Sequence, residues 1–149
     1  MDQTKQLYAW EDAWSSWNAA SCTLSECRRF VRMACKSYKV PVPSVTMHKH
    51  TEYSYFSPDD NKIALRHDQR NVPIALHEAS HAILWHYYRD TIADHGKEFV
   101  GVYLYLLTMS ECAPAIALTA SLRHYGIRWT RNMTPEKVLQ KKKPAQEAG

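Results

Sequence analysis

The sequence predicts an α+β fold, with helices at both ends of the chain and a small, mostly antiparallel sheet between them. The first and last thirds repeat apolar residues at helical spacing, whereas residues 45–66 alternate over short runs. Residues 74–88 are apolar nearly all round, which indicates a helix buried in the middle of the domain. The length of 149 residues suits one domain with one core.

Two helices are expected before the sheet. The first covers about residues 8–20 and places Trp10, Trp14 and Trp17 on one face, which is more typical of packing than of a binding platform. The second begins at a capping box, with Thr23 at the N-cap and Glu26 three residues later. The prolines at positions 41 and 43 end this second helix.

Alternation, turn residues and caps predict the remaining elements. Strands are expected at about residues 45–50, 53–56 and 62–66, with a turn-forming run at 57–61. Asn71 is expected to cap the buried helix, and Asp94 is expected to cap the next one, at about residues 95–108. A further helix is expected at about residues 112–125, ending at Gly126, and a last helical turn opens near residue 134.

Charge is distributed unevenly along the chain. We expect a single domain at residues 1–134, followed by a short basic tail at 135–149. The formal net charge is +4, and basic residues gather at Arg28, Arg29 and Arg32 and in a lysine block at 141–143. Such runs usually form a solvated surface, and contact with DNA is the alternative.

The cysteines and the N-terminus indicate the compartment. Cys22, Cys27, Cys35 and Cys112 form no C-x-x-C pair, which disfavours a zinc ribbon. No signal peptide is visible at the start, and no apolar run approaches the length of a membrane span. We therefore expect a cytoplasmic or otherwise intracellular protein with reduced cysteines and no membrane contact.

One short motif carries chemistry. His77 and His81 enclose Glu78 in the pattern H-E-x-x-H, inside the segment expected to form a buried helix. Residues four apart lie about 40° apart around a helix axis, so both imidazoles can bind one metal ion. Glu78 is rotated by about 100° from His77 and can take a proton from a water molecule beside the metal. Two imidazoles together with a third ligand and an open position suit Zn²⁺.

A catalytic zinc site needs a third protein ligand, and residues 94–99 offer three candidates. We favour His95, because it lies at the expected loop-to-helix junction and Gly96 permits a close approach of the backbone. Asp94 and Glu98 are alternative ligands, and Glu98 is also a candidate to orient an imidazole by hydrogen bonding. The other five histidines have no suitable partners in sequence, and we assign them no metal.

The pattern H-E-x-x-H at 77–81 followed by H-G-x-E-F at 95–99 resembles the SprT-like zinc metallopeptidases, which include the Spartan-type DNA-dependent proteases. The similarity covers about residues 23–110, and short stand-alone domains of this kind also resemble phage-encoded members of the family. The resemblance implies a zincin-like core with one catalytic Zn²⁺ bound by His77, His81 and His95. It also implies that Glu78 is the general base.

The same resemblance implies a protein or peptide substrate that pairs with an edge strand of the sheet by strand addition. The expected strand is 62–66, with Ile63, Ala64 and Leu65 at its centre.

Peptide hydrolysis also needs a donor for the developing oxyanion. The candidates, which the sequence does not separate, are Tyr103, Arg123, His124 and Tyr125. The expected function is therefore that of a zinc-dependent metalloendopeptidase. The alternative is a non-catalytic, zinc-stabilised module that binds DNA or regulates a partner, and that module would need a fourth protein ligand.

Overall fold

The computed structural model describes residues 2–18, 21–68 and 70–140, and for residues 14–18 it describes the backbone only. In chain order the elements are α1 (Thr4–Asn18), α2 (Leu24–Ser37), β1 (Ser44–His48), β2 (Tyr55–Ser57), β3 (Lys62–Arg66), α3 (Val72–Tyr88), α4 (Lys97–Met109), α5 (Ala115–His124) and α6 (135–140). The α+β class is confirmed. Within these ranges no helix is both long and apolar enough to span a membrane.

Side-chain caps fix the starts of α2 and α3 as expected. The hydroxyl of Thr23 accepts a hydrogen bond from the backbone N–H of Glu26 at 3.1 Å, and the carboxylate of Glu26 accepts one from the Thr23 N–H at 3.0 Å. The side chain of Asn71 accepts a hydrogen bond from the Ile74 N–H at 2.9 Å. These bonds satisfy backbone donors that a helix leaves without partners in its first turn.

The expected cap at Asp94 is wrong, because α4 begins at Lys97 and Gly96 is its N-cap. The chain turns between Ala93 and Gly96, whose N–H donates to the Ala93 carbonyl at 3.4 Å. This turn places Asp94 before the helix and holds His95 outside it. Because His95 precedes the helix, its side chain does not follow the direction set by α4 and can face α3.

The sheet is mixed, so the expectation of a mostly antiparallel sheet is wrong. The strand order is β1-β3-β2, with β3 parallel to β1 and antiparallel to β2. The tight turn between β2 and β3 makes that pair antiparallel, whereas the longer path from β1 back to β3 makes the other pair parallel. Side chains alternate with a period of two in both kinds of pair, so the sequence pattern does not report the direction of pairing.

The expected edge position of Lys62–Arg66 is wrong for the same reason. β3 is the central strand, with β1 on one side and β2 on the other. Ile63, Ala64 and Leu65 are fully buried in the core. An extended peptide therefore has no access to the backbone of β3, and the edges of the sheet belong to β1 and β2.

The helix α3 lies in the middle of the domain, as its apolar sequence predicts. It packs against α2, α4 and the strands β2 and β3. Leu76, Ala79 and Ile83 are fully buried on it, and Cys27 and Cys35 of α2 are buried in the same core. Because α3 is held on several sides, side chains that project from it have fixed positions relative to α4 and the sheet.

The core continues past the boundary that the sequence suggested at residue 134. Met133 and Val138 are both buried, and Val138 lies on α6. The apolar packing of the domain thus reaches into the segment expected to be a tail. The lysine block at 141–143 lies outside the described residues, as do the side chains of Trp14 and Trp17, whereas Trp10 is buried.

Candidate metal centre

The helix α3 and the turn before α4 bring three imidazoles together. The Nε2 atom of His95 lies 3.1 Å from Nε2 of His81 and 3.4 Å from Nε2 of His77. The three ligand atoms all lie within 4.8 Å of one another, so His77, His81 and His95 form a group that can hold a metal ion. Tetrahedral bonds of about 2.0–2.1 Å from zinc to nitrogen separate two ligand nitrogens by about 3.3 Å, which both short distances match.

Burial sets the protonation of two of these imidazoles. It lowers the pKa of His95 to about 4, and the nearby His77 lowers this pKa further while Asp2 raises it. Burial also lowers the pKa of His81 well below its usual range, and both neighbouring histidines act in the same direction. His81 and His95 are therefore neutral at physiological pH, which is the form of imidazole that binds metal ions.

The carboxylate of Glu11, on α1, holds the other side of the His77 ring. Its Oε2 accepts a hydrogen bond from Nδ1 of His77 at 2.7 Å and a second one from the hydroxyl of Tyr103 at 2.7 Å. Burial alone would lower the pKa of His77, but the charge and hydrogen bond of Glu11 outweigh it and raise this pKa to about 9. The bond to Glu11 directs Nε2 of the ring toward the shared centre. With a pKa of about 9 the metal-free ring carries a proton on each nitrogen, and a metal ion that binds there would displace the proton on Nε2.

A second contact from the N-terminus holds His95. Its Nδ1 lies 2.8 Å from the hydroxyl of Thr4, and that hydroxyl donates to the carboxylate of Asp2 at 2.5 Å. Since the single hydroxyl proton is directed at Asp2, Thr4 accepts from the Nδ1–H of His95. Gln3 fixes the backbone beside it, because its N–H donates to the His95 carbonyl at 3.2 Å. His95 is therefore held in the tautomer that leaves Nε2 available.

Sequence reasoning missed these supporting residues because they lie far from the motif along the chain. Glu11 follows Leu7 and Trp10 at helical spacing, and all three are buried on one face of α1. A carboxylate on an apolar helix face needs a partner when it is buried, so this spacing was a usable signal. The contact of Thr4 with His95 has no comparable signal, since it depends on how the N-terminus packs beside the turn before α4.

Glu78 lies next to His77 on α3 and faces an open cleft. The cleft has a volume of about 310 Å³, and the three histidines line it together with Glu78 and Tyr8. Burial raises the pKa of Glu78 to about 7, an effect that His77 reduces and Glu11 reinforces. A buried carboxyl group beside three imidazoles in an accessible cleft is an arrangement suited to proton transfer.

Strand β2 and the second half of α3 form the walls of this cleft. Tyr55 and Phe56 line it from the sheet, and Leu84 and Trp85 line it from the helix. The centre is thus flanked by an exposed edge of the sheet and by an apolar surface. Clefts of this composition bind organic ligands through apolar contacts and orient them through a few polar groups.

Several residues proposed from the sequence lie away from this centre. Glu98 lines a different cleft with Gln3, Lys97 and Arg128, and the carboxylate that bonds an imidazole is Glu11. Tyr103 is buried and donates its hydroxyl hydrogen to Glu11, which makes it unavailable to a substrate in the cleft.

The C-terminal candidates lie on α5 and beyond it. His124 is exposed, and its ring centre lies 5.5 Å from that of Tyr125. Neither residue lines the cleft. The guanidinium carbon of Arg123 lies 5.4 Å from the ring centre of Trp129.

The basic cluster of α2 lies on the exposed face of that helix. Arg28 donates from Nε to the Val45 carbonyl at 3.0 Å, and Arg29 lies 5.4 Å from the ring centre of Phe30. Arg32 is exposed. Contact with DNA through these residues stays a prediction.

The chain matches no protein-family model, no curated protein and no solved structure. The residues of the metal centre and the sequence pattern that contains them are therefore the features that bear on function.

Proposed function

We propose that this protein is a zinc-dependent metalloendopeptidase, which hydrolyses peptide bonds within protein or peptide substrates. The observation that carries the proposal is that Nε2 atoms of three histidines converge in an open cleft that also contains Glu78. The resemblance of residues 77–81 and 95–99 to SprT-like metallopeptidases supports the same function.

The composition of the ligand group favours a catalytic site over a structural one. Structural zinc sites use four protein ligands, whereas catalytic sites use three and keep one position open. Among the described residues, the histidines at 77, 81 and 95 are the complete group, and no fourth His, Cys, Asp or Glu joins it. Three nitrogen ligands suit Zn²⁺, and the cleft gives a substrate access to the open position.

Each residue of the centre has a role in this mechanism. His77, His81 and His95 would hold the ion, which when bound would supply Lewis acidity to a water molecule and to the carbonyl of the scissile bond. The Glu78 carboxylate takes a proton from the attacking water and later gives it to the nitrogen of the leaving amine. Glu78 thus acts first as a general base and then as a general acid.

Tyr8 is our candidate for the donor to the developing oxyanion. It is 46% exposed, and its ring lies 5.4 Å from His95 and 6.1 Å from His77 between ring centres. Burial raises the pKa of its hydroxyl, and the charges of Glu11 and Glu78 raise it further, so the phenol keeps its proton. A protonated phenol beside the centre is able to donate to an oxyanion, which Tyr103 is not placed to do.

The proposed substrate path follows β2 instead of β3. β2 is an edge strand, and Tyr55 and Phe56 line the same cleft as Glu78. An extended peptide that adds to this edge would gain main-chain hydrogen bonds with little dependence on its sequence. The apolar wall at Leu84 and Trp85 would then select for apolar side chains at one position of the peptide.

Removal of the metal tests the proposed function directly. The protein is expected to cleave an unstructured substrate such as casein, to lose this activity in excess 1,10-phenanthroline, and to regain it when Zn²⁺ is restored. The measurement is the release of new peptide termini by mass spectrometry. The non-chelating isomer 1,7-phenanthroline is the matched control, and activity that survives chelation would contradict a metallopeptidase.

Strand addition on β2 predicts how modified peptides behave. Neighbouring residues of an extended peptide direct their N–H groups to opposite sides, so only alternate amides can bond to the edge. Methylation of one set of amide nitrogens is expected to raise KM about tenfold or more, the effect of losing roughly 1.4 kcal/mol of hydrogen bonding. The isomeric peptide methylated at the other set is the control, and equal KM values for both peptides would exclude this mode of binding.

A further inference from the structure

The contact between α1 and the metal centre is almost completely buried. Glu11 is 6% exposed, Tyr103 is 1% exposed and His77 is 4% exposed. Both donors bond to the same oxygen of Glu11, Oε2, at 2.7 Å each. The hydroxyl of Tyr103 also lies 3.2 Å from the Pro73 carbonyl in the first turn of α3. The three side chains thus connect α1, α3 and α4 behind the histidine group.

Packing alone does not explain a glutamate at this position. Leu7 and Trp10 are buried on the same face of α1, and an apolar side chain of similar size would fill the space without the cost of a buried charge. What a carboxylate adds is a directional acceptor for the Nδ1–H of His77. This acceptor fixes both the tautomer and the rotation of the ring, so that Nε2 is directed at the other two histidines.

We propose that Glu11 is a positioning residue of the metal centre and that Tyr103 holds Glu11 in place. On this basis the N-terminal helix, which lies outside the H-E-x-x-H motif, sets how tightly the three histidines bind zinc. The inference rests on the zinc site of the proposed function, but it concerns metal affinity and requires no peptidase activity. It assigns the role to Glu11 in place of Glu98, which lines a different cleft.

The affinity of the purified protein, residues 1–149, for zinc tests this assignment. Glu11→Gln keeps the size of the side chain and an oxygen that accepts a hydrogen bond, but it removes the charge. Its Kd for Zn²⁺, measured by competition with a chromophoric chelator, is expected to rise about 10–100-fold, as for other lost supports of metal ligands. The visible absorption of the Co²⁺-loaded protein is expected to change as well, because the ring of His77 is held differently.

Two further variants separate positioning from folding. Asp12→Asn removes the same charge from the next residue of α1, which is exposed, and its Kd for Zn²⁺ is expected to equal that of the wild type. Tyr103→Phe removes the donor to Glu11 and is expected to weaken zinc binding in the same direction but less than Glu11→Gln. Thermal unfolding of each metal-free variant, followed by circular dichroism, reports on folding alone. Glu11→Gln and Tyr103→Phe each lose a buried contact and are expected to unfold at a somewhat lower temperature than the wild type, but to stay fully folded at the temperature of the zinc titration.

The outcomes discriminate among these roles. A Kd for Glu11→Gln within about threefold of the wild type would overturn the inference, since supports of this kind contribute at least about tenfold. A weaker affinity that comes with an equally impaired metal-free fold would give Glu11 a structural role and would overturn it as well. A wild-type protein that binds no zinc removes both this inference and the proposed function. One that binds zinc without cleaving peptides removes only the proposed function.

Discussion

Glu78→Gln is expected to keep its zinc and to lose about 10²–10⁴-fold in kcat, the range that general acid–base catalysis usually contributes. The amide has nearly the same shape as the carboxylate but cannot accept the proton of the attacking water. The three atoms that can hold a metal ion belong to His77, His81 and His95, so the substitution leaves that group complete. Peptide hydrolysis and bound zinc should be measured on the same preparation.

Two features of the site sharpen this experiment. Glu78 is buried at 5% exposure beside His77, and a neutral amide there costs less to bury than a carboxylate, so the variant should fold at least as well as the wild type. Glu98→Gln is the matched control, because it makes the same change on α4 in a separate cleft. Full activity in Glu78→Gln would refute the mechanism, whereas loss of zinc would mean that Glu78 supports the ligand group.

The sequence predicted the local elements well because each depends on neighbouring residues. The capping box of Thr23 and Glu26, the N-cap at Asn71 and the bounds of β3 all follow from residue types within a few positions. The direction of strand pairing does not follow in this way. It depends on the path of the chain between β1 and β3, and it made the substrate strand proposed from the resemblance a central strand.

The residues of the metal centre also separate into those that the local sequence indicates and those that it does not. His77 and His81 come from one turn of helix, and the junction at residues 94–96 together with the family resemblance favours His95 over Asp94 and Glu98, so sequence indicates all three members of the group. Their supports come from α1, more than sixty residues earlier in the chain, since Glu11 contacts His77 at a sequence separation of 66. Spacing within a motif carries no information on such contacts. Only the packing of α1 against α3 and α4 shows that Thr4 and Glu11 hold the rings.

His95→Ala is expected to weaken zinc binding by more than about 100-fold, the upper end of the loss seen when a mere support of a ligand is removed. The two histidines that remain both project from α3 and approach the ion from one side. Catalytic zinc sites need three protein ligands, so hydrolysis should fall with the metal content. The residue contributes its backbone to the fold through the Gln3 N–H, and alanine keeps that contact.

The control for this change is His124→Ala, which removes an exposed imidazole on α5 away from the cleft. Zinc content and Kd are measured for both variants, and circular dichroism of the metal-free proteins checks that they fold alike. Unchanged affinity in His95→Ala would mean that another group supplies the third ligand. Asp94 is then the first residue to test, because it lines the same cleft, whereas Glu98 does not. A double variant, His95→Ala with Asp94→Asn, would identify that ligand by losing the remaining zinc.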